Sequence, residues 1–98
     1  MLNKAILIGN LGKDAEMKEL QNGSKFAKAT MATSESYKDS SGEWQTITTW
    51  HNIIGWAKVA EIMERVCKKG AKVYIEGKIE TNEYEKDGVK QRSTQIRV

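Results

Sequence analysis

The chain has no proline, one cysteine and one histidine in 98 residues, and each scarcity removes a class of explanation. Proline cannot donate to a strand ladder, so its absence suits long hydrogen-bonded strands. Cys67 alone cannot form an internal disulfide, which fits a reducing cytosol. It has neither a second thiol nor a second imidazole beside His51 from which to build a zinc set, and nothing in its neighbourhood activates it. His51, flanked in strand alternation by Ile47 and Ile53, reads as a packed or hydrogen-bonded side chain, not a catalytic base. No glycine-rich phosphate loop follows a strand. Glu80, Glu83, Glu85 and Asp87 look like a solvated hairpin and not a catalytic pair. Neither a metal nor a cofactor is expected, and no enzymatic activity. Long apolar runs are missing as well. The N-terminal run is interrupted by Asn10 and Lys13, too soon for a signal sequence or a membrane span. A cytoplasmic, nucleoid-associated protein without membrane contact is the expectation.

What is present describes one globular domain. Hydrophobic residues make up 39% and charged residues 30%, a composition that buries a core but leaves little surplus at this length. The net charge of +3 and pI near 9.0 are mild; solubility explains them as readily as polyanion binding does.

Periodicity divides the chain. Residues 4–9 read as a buried strand, Glu16 to Leu20 as a short extended piece before the hairpin dipeptide Asn22-Gly23, and Phe26 to Ser34 as a longer strand. Residues 35–43 are polar and read as a protruding loop. Trp44 to Ile54, rich in Thr, Ile and Trp, is a strand. Val59, Ile62, Met63 and Val66 then recur at helical spacing, with Trp56 opening the helix, Lys68 and Lys69 in its last turn and Gly70 closing it. Val73 to Glu83 and Gln91 to Val98 are strands joined through Asp87-Gly88. One helix between the third and fourth of five strands is the plan of the OB-fold, a five-stranded Greek-key barrel that is all-β apart from that helix. A generic α+β sandwich is the alternative.

Alternation then assigns faces. Ile47, Thr49, His51 and Ile53 share one side of their strand, and Trp50 lies among threonines and Asn52 on the other. Val73, Ile75, Gly77, Ile79 and Thr81 form a core face, and Tyr74, Glu76, Lys78 and Tyr84 point away from it. Tyr37 sits in the polar loop. Tyr37, Trp50, Trp56, Tyr74 and Tyr84 thus have no core assignment. Any one of them alone is an ordinary half-buried ring. Interleaved with Lys4, Lys28, Lys58, Lys68 and Lys69 they make the combination that holds a single nucleic-acid strand: rings for the bases and cations for the phosphates.

Ordered blocks carry a resemblance that spans the chain: Asn3 to Asp14, Ala32 to Asp39, Thr49-Trp50-His51, Lys69-Gly70 and Val73 to Gly77. Together they resemble the bacterial single-stranded DNA-binding protein family. The resemblance implies an OB-fold that assembles as a homotetramer and protects single-stranded DNA, without sequence preference, during replication, recombination and repair. It implies stacking by Tyr37, Trp50, Trp56 and Tyr84, and backbone contacts from Lys4, Lys58 and Lys69. Lys28 joins the set from the constellation above. His51, Tyr74 and Glu76 fall where the family packs subunits together. The chain departs from the family by carrying tyrosine at 37 and 84, where tryptophan is frequent, and tryptophan at 56, where phenylalanine is frequent. Glu80, Asn82 and Glu83 stand where many relatives have basic residues, so weaker phosphate attraction is expected near Tyr84. Residues 1–98 are expected to be a single domain without the family's flexible acidic C-terminal tail. Replication and repair proteins would then be partners only of a longer chain carrying that tail. A replication accessory module of primosomal type, working mainly through protein contacts, is the competing reading.

Overall fold

A computed structural model describes residues 1–98 as six strands and one helix: β1 (Ala5–Leu11), β2 (Glu16–Glu19), β3 (Lys25–Lys38), β4 (Trp44–Trp56), α1 (Lys58–Val66), β5 (Lys72–Lys86) and β6 (Val89–Arg97). β3 pairs antiparallel with β4 along the length of both, and β5 with β6 likewise. Two contacts close these hairpins into a barrel. The far end of β4 meets β6 in parallel at Ile53↔Ile96 and Ile54↔Arg97. β1 pairs with β5 from Ala5↔Gly77 to Asn10↔Lys72 and reaches β3 at Asn10↔Ala32 and Leu11↔Met31. Five strands thus form the closed ring, and β2 is an added strand on the edge of β3. The helix lies between the third and fourth of those five, as the OB plan requires.

The core is small. Leu11, Ala27, Ala29, Met31, Ile53, Ala60, Met63, Cys67 and Ile96 form one buried cluster. Closure depends on glycine at two points where backbones meet. A Cβ on Gly9 would stand 2.3 Å from the Ala32 carbonyl oxygen, and one on Gly77 would stand 2.4 Å from that of Arg97. Neither obstacle is a flexible side chain that can move aside. Burial raises the pKa of the Cys67 thiol above its ordinary value, so it acts as an apolar packing group.

The structure corrects several sequence expectations. The loop foreseen over 35–43 is strand in its first four residues, because β3 continues to Lys38, and the turn is confined to residues 39–43. Asp39 organises that turn. Its carboxylate accepts the Ser41 and Glu43 N–H groups, each at 2.9 Å, and the Gln45 amide at 3.1 Å. These bonds, the Glu43 N–H foremost, hold its pKa below the usual carboxylate range. Trp56 does not open the helix; it ends β4, and Ala57 at positive φ turns the chain into α1. Helix α1 stops at Val66, with the Cys67 N–H on the Met63 carbonyl. Lys68, Lys69 and Gly70 therefore belong to the turn that follows and not to a helical last turn.

Burial also departs from alternation. Val59 and Met63 pack inward from α1, whereas Ile62 and Val66 are exposed. Ile47, Thr49, Ile79 and Thr81 keep the core-facing parity yet are exposed, because both hairpins run on past the barrel as arms with nothing beneath them. Strand β1 is not buried on both sides: Ile6 and Ile8 are 55% and 57% exposed.

Candidate nucleic-acid interface

In an antiparallel pair, opposed residues lie on the same face, so register builds one outer surface row by row. Trp56 sits beside Phe26, and Phe26 beside Lys18. The next row holds Ile54, Lys28 and Glu16, with Arg97 on the β6 side. Asn52 and Thr30 follow, then Trp50 and Ala32. Two tryptophans thus bracket a strip that carries Lys28, Thr30 and Asn52 beside the buried Ile54. They are six residues apart, about 20 Å at the rise of an extended strand.

Each platform has its own support. The Trp56 ring lies 4.9 Å from the Phe26 ring, centroid to centroid and tilted by 36°, and the Lys28 ammonium lies 5.7 Å from the Phe26 centroid. Trp50 is 60% exposed and rests on Gly12. A Cβ at Gly12 would be 2.7 Å from Cζ3 and 3.0 Å from Cη2 of the indole. Gly12 donates its N–H to the Thr30 carbonyl at 3.1 Å, so the seat is fixed to β3. Between the platforms runs a groove of about 280 Å³ lined by Lys13, Glu16, Lys28, Thr30, Asn52 and Gln95. Lys13 pairs with Glu16 at 3.1 Å, and this hydrogen bond lowers the Glu16 pKa. Gly12→Ala is expected to push the indole off its seat and weaken oligothymidylate binding. The loss should stay below the roughly 1–3 kcal/mol of removing a stacked ring. Titration of the variant, with its melting temperature as a folding control, checks this.

The remaining site residues divide between this face and others. Lys58 begins α1 two residues after Trp56 and is exposed. Lys69 is exposed in the turn after α1. Its N–H bonds Asp14 Oδ1 at 2.7 Å, and Gly70 bonds the Leu11 carbonyl at 2.9 Å. That turn therefore borders the loop on which Trp50 rests. Tyr84 lies opposite Gln91 on the outer face of the β5–β6 arm; nearer the barrel on that face, Glu80 pairs with Arg97 at 3.0 Å. Tyr37 lies opposite Gln45 and shares its parity with Glu35 and His51, so it faces the other way from Trp50. It is held in a strand, not in the loop expected for it.

Lys4 is on a different surface. It bonds Glu76 at 3.3 Å, Glu76 accepts the Tyr74 hydroxyl, and Ile6 and Ile8 lie opposite Glu76 and Tyr74. The Tyr74 bond lowers the Glu76 pKa, with Lys4 adding to the effect, and raises that of Tyr74. His51 is half-buried, with Nε2 2.8 Å from Thr33 Oγ1. Sequence reading missed Gly12, whose role depends on a contact distant in sequence, and Phe26, which alternation alone did not free from the core. It also missed Trp44, whose even spacing from Trp50 carried the signal. No three of His, Cys, Asp and Glu converge on a possible metal position, and no helix is long and apolar enough to cross a membrane.

A closed five-strand barrel with an outer face of spaced rings and polar groups defines an OB-fold of the ligand-binding kind. The profile of the single-strand binding protein family matches residues 2–98, and the chain belongs to that family. It is 46% identical over 97 residues to single-stranded DNA-binding protein 1 of Chlorobaculum tepidum, covering 97% of this chain and 60% of that protein. Over 96 residues it is 43% identical to the single-stranded DNA-binding protein of Neisseria meningitidis, covering 97% of this chain and 55% of the relative. The chain thus spans a little over half the length of these curated relatives. Among solved structures, a Plasmodium falciparum SSB complex with ssDNA superposes with a TM-score of 0.91 at 29% identity, covering 100% of this chain and 87% of the other. A single-stranded DNA-binding protein from Thermus aquaticus gives 0.84 at 28% identity, covering 98% of this chain and 47% of the other.

Proposed function

We propose that this chain binds single-stranded DNA without sequence preference and protects it during replication, recombination and repair, acting as a binding module and not as an enzyme. The observation that carries this reading is the outer face on which Trp50 and Trp56 bracket Lys28. Unpaired bases offer faces to the rings, and phosphates meet the cation. Lys58 and Lys69 flank that face and are proposed phosphate contacts. Tyr84 contributes from the second arm and Tyr37 from the reverse side of the first.

The chain is proposed to assemble as a homotetramer. Ile6, Ile8 and Tyr74 leave an apolar strip on the outside of β1 and β5, and a domain with so small a core gains by covering it. Glu76 and Lys4 border the strip and take part in the contact; His51 supports the β3–β4 sheet beside it. Replication and repair proteins enter as partners through an acidic tail in a longer chain, and the working location is the nucleoid.

The test is a titration with oligothymidylate and with duplex of equal length at several salt concentrations. The single strand should bind far more tightly, because paired bases present no free faces. Each phosphate neutralised should contribute about −0.7 to the slope of log K against log salt. Lys28→Ala should flatten that slope while stacking persists. Equal affinity for the duplex would overturn the reading.

A further inference from the structure

We propose that Trp44 is a third base-stacking platform, extending the single-strand track from the barrel onto the β3–β4 arm; this rests on the function proposed above. Trp44, Trp50 and Trp56 are each six residues apart on one strand, so all three share its outer face. Trp44 is the most exposed of the aromatic rings, at 71%, and it stands where the arm has no core to fill. Its ring therefore does nothing for the packing of the barrel.

The surface joining Trp44 to Trp50 fits the same ligand. Reading outward from Trp50, the face presents Thr48, Thr46 and Trp44 on β4, opposite Ser34, Ser36 and Lys38 on β3. Between the two rings lie only small hydroxyl side chains, with Ser34 Oγ and Thr48 Oγ1 3.3 Å apart. No carboxylate interrupts it. Glu35 is on the reverse face, and the Asp39 carboxylate is occupied by the turn it organises. Glu43 is the one remaining acid at the tip, and Lys38, directly opposite Trp44, offsets it. A ring beside a cation, joined to the next ring by small polar groups, extends the Trp56–Lys28–Trp50 face one step further along the strand. A flexible chain of bases and phosphates is the ligand that can follow all three rings.

The experiment uses the full chain with three variants. Trp44→Ala should bind a short oligothymidylate that fills only the Trp50–Trp56 face as the parent does. It should bind a longer one about 5- to 100-fold more weakly, the range for one lost stacked base. In a second variant, Trp50→Phe with Trp56→Phe, Trp44 is the only tryptophan, and its emission should be quenched by the long oligonucleotide. Unchanged affinity of Trp44→Ala for both lengths, or unquenched Trp44 emission at saturation, overturns the proposal. So does Trp44 emission that shifts on dilution but not with DNA, which would mean that a second copy covers the ring. Quenching of Trp50 in Trp44→Phe with Trp56→Phe, where it is the only tryptophan, separates the two readings. If Trp50 responds and Trp44 does not, only the arm platform fails; if the parent binds no oligothymidylate, both fail.

Discussion

Trp50→Ala is expected to lower the affinity for oligothymidylate about five- to hundredfold, the equivalent of roughly 1–3 kcal/mol for one stacked base. The fold should survive, because Trp50 is 60% exposed and belongs to no core cluster. Only its seat on Gly12 is vacated. Trp50→Phe should recover part of the loss, since a smaller ring still stacks. Trp56→Ala should behave similarly but less cleanly, because it also strips a ring from Phe26. Binding of each variant at two salt concentrations, with melting temperature as control, distinguishes stacking from charge: the affinity falls while the salt slope is preserved. Parent-like binding by both alanine variants would show that these rings are surface packing.

Met31→Ala should have the opposite profile. Met31 is completely buried on β3, with a side chain that passes close under Gly9. Truncation leaves a cavity that the closely apposed β1 and β3 backbones cannot collapse, and core truncations of this kind cost about 2–5 kcal/mol. For a domain of this size each kcal/mol lowers Tm by about 4–8 °C, so a fall of roughly 10 °C or more is expected by calorimetry. Well below the new Tm, oligothymidylate binding should stay near that of the parent, because Met31 faces the core while Trp50 and Lys28 face outward. A variant that melts like the parent would mean that the barrel is not packed around Met31.

Much of this architecture was readable in advance because period-two and helical patterns are local. The order of strands and helix, the hairpin turns at Asn22-Gly23 and Asp87-Gly88 and the outward parity of Trp50 all follow from neighbouring residues. The two turns bear this out: Gly23 adopts φ +88°, and Asp87 and Gly88 adopt +53° and +75°. Polar composition misled at 35–43, because an arm exposed on both faces looks like a loop when burial is the guide. Glu35, Ser36, Tyr37 and Lys38 there pair across to Ile47, Thr46, Gln45 and Trp44. Trp44 went unassigned to either face, although it shares the outward parity of Trp50 six residues later.

By itself, the amino-acid order determined which residues alternate, where turns fall and which side chains carry rings and charge. Whether an inward parity means burial was decided only by the tertiary structure, because the barrel ends before the hairpins do. Ile53 is buried and Ile47, six residues earlier on the same side, is not. The distribution of the candidate binding residues was likewise a matter of strand pairing. The β3–β4 register put Lys28 between two tryptophans and turned Tyr37 to the reverse face, and the β1–β5 pairing left Lys4 beside Glu76. Pairings between residues far apart in sequence set those positions, and no local pattern encodes them.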